Sequence, residues 1–278
     1  MTRRTPLIAL STLVASSLLY LFAQQHTPVQ PAVMDSPSTP VSRMDEPAWR
    51  GRFEGKQKIA QRTKQVDLLF LGDSITHNYE RADPVPSLNY KPVWNYYYGD
   101  RNAFDLGFSG DTTGNLLWRL DHGETAGMHP RLVVLLIGTN NTSTRHKDWS
   151  AEADASAIEG IVSKVHEQMP EAHVLVIGNL PSGQSEWKTG MTHQINSLLA
   201  ERYGNNSIPW VSYIDISSTF LKNGQIDNDL FVEPSKQPPQ GAVHPTAQGQ
   251  AMMAAALEPT IARLMHVAPK PPMPAQSQ

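Results

Sequence analysis

Short, mainly apolar runs recur along the 278-residue chain and alternate with stretches of helical spacing. The clearest run is Leu132 to Ile137, flanked by Pro130 and Gly138; the others are Val66 to Leu71, Ala103 to Leu106, His173 to Ile177 and Trp210 to Ile214. Continuous rather than alternating hydrophobicity marks strands buried on both faces, as in a parallel sheet. Between them, helices are predicted from Ala48 to Lys64, with Trp49, Phe53 and Ile59 at near-helical spacing, and from Ile75 to Tyr79. Others follow Asp111, read as an N-cap before Leu116, Leu117 and Leu120, and span Ala151 to Gln168, Ser185 to Tyr203 and Ala247 to Met265. This alternation predicts an α/β domain built on one doubly wound parallel sheet with helices on both faces.

The strand ends carry the chemistry. In such sheets, ligands bind at the carboxyl ends of the strands. The first run stops at Gly72-Asp73-Ser74, which sets a serine hydroxyl at that edge; the same three residues are also common turn formers. The second ends in Gly107-Phe108-Ser109-Gly110-Asp111 and the third in Gly138-Thr139-Asn140-Asn141. Acyl transfer through a serine needs a nucleophile, a base and donors aimed at the developing oxyanion. The backbone N–H groups of Ser74 and Gly110, with the Asn140 amide, are candidates for those donors. Among ten histidines, His244 lies just before the last helix, where its loop returns to the strand ends; His77 is nearer in sequence but falls on the outgoing helix. The aromatic cluster Trp94, Tyr96, Tyr97 and Tyr98 is read as packed core before a substrate platform.

Composition narrows the picture. An apolar fraction of 40% and a charged fraction of 18% are those of a folded globular chain. A formal net charge of −3 with no long basic run gives nucleic acid no electrostatic footing. No cysteine is present, which excludes thiol catalysis, cysteine metal sites and disulfide staples; no His/Asp/Glu group has ligand spacing, so neither metal nor organic cofactor is expected. Arg3 and Arg4 precede an apolar stretch from Leu7 to Phe22, the form of a secretory signal ending near Ala23, with an uncleaved membrane anchor as the alternative. Residues 24–46, rich in Pro, Ser, Thr and Gln, are read as a linker, 47–266 as the folded domain and 267–278 as a loose Pro-rich tail.

Gly72-Asp73-Ser74, the Gly110 loop, Gly138-x-Asn140 and His244-Pro245 occur in the order of the SGNH, or GDSL, hydrolases. The run from Gly107 to Leu120, with Gly110-Asp111-Thr112-Thr113 and Leu117-Trp118-Arg119-Leu120, resembles the catalytic subunits of the platelet-activating-factor acetylhydrolase branch. The resemblance covers about Pro47 to Met265. It implies a flavodoxin-like three-layer α/β/α sandwich of five parallel strands, Ser74 as nucleophile, Gly110 and Asn140 completing the oxyanion hole, and His244 as base. That branch forms dimers, which makes a homodimer an expectation. The family's aspartate three residues before the histidine is replaced here by Gly241. A backbone carbonyl could orient His244, Glu233, Asp229 or Asp227 could reach in as the acid, or the site could be inactive.

The expected activity is that of an exported serine esterase, periplasmic or secreted, taking short acyl groups, acetyl foremost, from a sugar or lipid. A silent glycan- or partner-binding protein and an O-acyltransferase are the alternatives.

Overall fold

The computed structural model describes residues 36–63, 65–205 and 207–274; the expected leader, and the linker as far as residue 35, lie outside these residues. Helix α1 (Pro47–Ala60) precedes strand β1 (Leu68–Gly72), the short helix α2 (Ser74–His77) and α3 (Lys91–Tyr97). The chain continues through β2 (Ala103–Gly107), α4 (Thr113–Asp121), β3 (Leu132–Leu136), α5 (Ala151–Gln168), β4 (His173–Ile177), α6 (Glu186–Tyr203) and β5 (Val211–Ile214). A small hairpin, β6 (Leu221–Lys222) with β7 (Gln225–Ile226), leads by a long loop into α7 (Ala247–Met265).

The five long strands form one parallel sheet in the order β2-β1-β3-β4-β5. Alternate side chains of each strand enter different cores, because successive Cβ atoms point to opposite faces. Leu69, Leu71, Val133, Leu135, Val174 and Val176 pack with α4, α5 and α6 on one face. Leu68, Phe70, Val134, Leu136, Leu175 and Ile177 pack with α3 and α7 on the other. This is the expected three-layer α/β/α sandwich. Trp94, Tyr97 and Tyr98 are buried in the second core, as the packing reading of the aromatic cluster anticipates.

Three expectations about local structure change. Asp111 is not the cap of α4: Thr112 is, accepting from the Asn115 N–H, with the Asn115 side chain returning to the Thr112 N–H. Asp111 is instead buried one step earlier, beneath two arginines. The domain does not start at Pro47, since residues 36–46 are hydrogen-bonded onto the first turn of α4. The tail is not loose between residues 270 and 273. There the Lys270 N–H donates to Glu258, Lys270 Nζ to Asp100 and the Tyr96 carbonyl, and the Met273 N–H to Tyr97 Oη.

Arg101 and Glu258 form a bidentate buried pair, at 2.8 and 2.5 Å, joining the loop before β2 to α7. Removing one partner of such a pair leaves an uncompensated buried charge. Glu258→Ala is expected to lower unfolding free energy by about 3–5 kcal/mol, read from urea titration, and Arg101→Met in the same background to recover part of that loss.

Candidate active site

Gly72 of β1 pairs in register with Gly107 of β2 and Leu136 of β3, so the loops leaving these three strands begin at one height. Ser74 stands two residues beyond that level, Gly110 three and Asn140 four. The geometry therefore gathers three residues that are far apart in the chain.

Ser74 opens α2, whose N-cap Asp73 accepts from the Ile75 N–H at 2.9 Å. Burial pushes the Asp73 carboxyl up to about 6, against the pull of the Ile75 hydrogen bond. Gly110 has φ of +82°, the left-handed region that glycine adopts without a Cβ penalty. Asn140 Nδ2 donates to the Asp111 carbonyl at 2.8 Å, which ties the third loop to the second and leaves one amide hydrogen unused. The third loop is held from below by Lys188, a buried side chain whose Nζ donates to the Thr139 carbonyl at 2.7 Å. Asn141 binds it to α4, accepting from the Thr113 N–H and donating to Thr113 Oγ1 and Asp154.

His244 is set in place by a short antiparallel pairing. The Val232 N–H donates to the His244 carbonyl and the Thr246 N–H to the Leu230 carbonyl, both at 2.8 Å, while Tyr90 Oη donates to the Pro245 carbonyl. His244 Nε2 lies 2.9 Å from Ser74 Oγ. Its Nδ1 lies 2.6 Å from Glu233 Oε1, and Glu233 Oε2 accepts from the backbone N–H groups of Val243 and His244 at 3.0 and 2.8 Å. Burial alone would raise the Glu233 carboxyl, but these hydrogen bonds overcome it and hold it at about 2. An ionised carboxylate only accepts, so Nδ1 carries the proton and donates it, leaving the Nε2 lone pair facing the serine hydroxyl. The arrangement can take a proton from Ser74 Oγ and stabilise the resulting imidazolium.

Of the three acids considered for the place emptied by Gly241, Glu233 is thus the one on the imidazole. Asp227 accepts from the Asp229 N–H and caps the 228–230 turn, and no hydrogen bond joins Asp227 or Asp229 to His244. Gly241 is where it is because the chain there lies against residues 183–184. A Cβ at 241 would stand 2.3 Å from the Gly183 carbonyl oxygen and 2.5 Å from Gln184 Cα. His77 does not serve the serine; its Nδ1 is hydrogen-bonded to Ser109 Oγ at 2.9 Å, and burial, with Arg52 nearby, drops it to about 4. Among the described residues no His, Asp or Glu group could hold a metal ion.

The GDSL-like lipase/acylhydrolase family matches residues 70–252, which include every residue of this constellation. The chain belongs to that family. Its relatives include the alpha2 subunit of platelet-activating factor acetylhydrolase IB from Gallus gallus, 32% identical over 60% of this chain and 68% of the relative. The same subunit from Homo sapiens is 28% identical over 74% of this chain and 81% of the relative. Among solved structures, a carbohydrate acetylesterase family member from Sinorhizobium meliloti aligns with a TM-score of 0.54 at 16% identity, covering 73% of this chain and 100% of that one. As a GDSL-like acylhydrolase, the protein is an ester hydrolase.

Two outcomes follow from Glu233. Its folded value lies below the ordinary 4.5, so the stability it contributes is present above about pH 4.5 and is lost as pH falls toward 2. Thermal unfolding at pH 7 should therefore show Glu233→Gln less stable by on the order of 2 kcal/mol, with the gap to the native protein closing as pH falls through that window. Gly241→Asp, which restores the family residue in sequence, is expected to lower the melting temperature and not to recover activity in a Glu233→Ala background, because its side chain has no room.

Proposed function

We propose that this GDSL-like acylhydrolase cleaves short-chain acyl esters, acetyl foremost, of a lipid or sugar alcohol by a serine mechanism. Ser74 Oγ attacks the ester carbonyl as His244 Nε2 takes its proton; His244 then returns the proton to the leaving alcohol. A water activated by the same nitrogen hydrolyses the acyl-enzyme, and Glu233 keeps the ring in the tautomer that both steps need. The Ser74 and Gly110 N–H groups and the free Asn140 amide hydrogen receive the oxyanion.

The observation that carries this reading is the unbroken chain Ser74–His244–Glu233, at 2.9 and 2.6 Å. It also weighs against a silent binding protein, since Glu233 lies on the imidazole where residue 241 offers no side chain. The names of the sequence relatives support acetyl as the acyl group. Export belongs to this proposal as well, by leader or by anchor, on the strength of Arg3-Arg4 and the apolar stretch from Leu7 to Phe22. Among the described residues no helix is long and apolar enough to cross a membrane.

Hydrolysis of p-nitrophenyl acetate and longer esters by the full chain tests this. Ser74→Ala and His244→Ala are each expected to lower kcat by at least about 10³-fold, and Glu233→Gln by about 10²- to 10⁴-fold with KM little changed. Turnover in Ser74→Ala equal to that of the native protein would refute the serine mechanism. Acetyl transfer to an added sugar in preference to water would redirect the reading to an acyltransferase.

A further inference from the structure

Residues 36–46 behave as a clasp rather than a linker. Thr113 Oγ1 donates to the Pro37 carbonyl at 2.7 Å, the Val41 N–H to the Gly114 carbonyl at 3.0 Å, and Asn115 Nδ2 to the Val41 carbonyl at 2.9 Å. Pro37 is buried, and a Cβ on residue 114 would stand 2.4 Å from the Thr39 carbonyl oxygen. The clasp therefore lies directly on the first turn of α4, and it delivers Arg43 to the loop before that helix.

Arg43 is held on both sides. Its Nε and Nη2 donate to Glu46 at 2.9 and 2.7 Å, which locks the guanidinium plane. Its Nη1 donates to the Ser109 carbonyl at 2.9 Å and to Asp111 Oδ1 at 2.8 Å, bracketing Gly110. The guanidinium nitrogens stand 3.2 and 3.3 Å from where a Cβ of residue 110 would be. Asp111 cannot follow Arg43 if the loop shifts, because the same carboxylate also accepts from Trp49 Nε1 at 2.7 Å and Arg119 Nε at 2.8 Å.

One of these contacts bears on catalysis. The Ser109 carbonyl and the Gly110 N–H are the two ends of a single peptide group, and a peptide group is planar. A donor that grips the oxygen fixes where the N–H points and, by polarising the group, makes that N–H a stronger donor. At a glycine the competing orientation, with the peptide plane flipped, has no Cβ to oppose it.

We propose that Arg43 is a positioning residue of the ester-hydrolysing site, aiming the Gly110 N–H at the oxyanion by holding the Ser109 carbonyl at the far end of the same peptide. This rests on the reading of Gly110 as an oxyanion donor. Arg43 touches no reacting atom; its effect appears only where charge develops on the substrate oxygen.

The test compares Arg43→Ala and Arg43→Lys with the native full chain. Arg43→Ala should lower kcat on p-nitrophenyl acetate by about 10- to 100-fold with KM within about twofold. It should weaken phenylboronic acid, which forms a tetrahedral adduct, by a similar factor, and leave inhibition by acetate unchanged. Arg43→Lys, which can still reach the Ser109 carbonyl, should recover part of the loss. A kcat of Arg43→Ala within about twofold of native overturns the proposal, as does a loss that tracks a fall in melting temperature and is not recovered by lysine. Should the native protein turn over no ester, the esterase reading fails separately, and hydrogen exchange decides for Arg43. Faster exchange across residues 107–113 in Arg43→Ala upholds its grip on this peptide; unchanged exchange refutes it.

Discussion

Gly72, Gly107 and Leu136 lie level across β2, β1 and β3, and parallel pairing transmits that level to the three loops that follow. Because hydrogen bonds along a parallel ladder repeat at fixed spacing, a slip of one strand would flip its side chains between the two cores, and both cores are fully packed. The height at which Ser74, Gly110 and Asn140 emerge is thus held by the burial of residues such as Leu69, Phe70, Val133 and Val134, well below them. Position in the site is a by-product of hydrophobic alternation in the sheet.

Above that level, polar contacts refine what the sheet has placed. Asp111 is central here: its carboxylate gathers Arg43, Arg119 and Trp49, while its carbonyl accepts from Asn140. Burial raises this carboxyl, and the arginines and Trp49 oppose that rise, so the group is compensated where it would otherwise be costly. The outcome is a rigid joint between the second and third loops, which carry Gly110 and Asn140. Lys188 under Thr139 and Asn141 against Thr113 extend the same stiffness downward. A site whose donors must meet a charge that exists only briefly gains from being held in place beforehand.

The Glu233–His244 contact shows how one loop can bring a carboxylate to a ring that residue 241 has no room to reach. With residue 241 pressed against Gly183 and Gln184, no side chain fits there. Glu233 reaches the imidazole because 230–232 pairs with 244–246, and the residue after that pairing lies beside His244. The carboxylate then accepts from the ring and from two backbone N–H groups, which orients it as firmly as a neighbour in sequence would be.

The five sheet strands, the long helices flanking them, the parallel sheet and the order of the loops were readable from the chain, because periodicity and local turn composition report burial over a few residues at a time; Ser74, Gly110, Asn140 and His244 could be named as candidates, while α3 and the β6–β7 hairpin left no such signal. The boundaries of β4, α5 and α7 followed for the same reason. Glu233 could be named only as one of three acids, since its pairing with His244 depends on strand-like contacts between segments that carry no periodic signal. Asp111 read as a cap because aspartate before a helix is a local pattern; its burial under two arginines is a tertiary fact. Arg43 had no signal at all, for it sits in a Pro- and Ser-rich stretch whose composition speaks for a linker. Only the folded chain decided these positions, because each depends on a distance between residues that the sequence holds far apart and that the sheet, once packed, brings together.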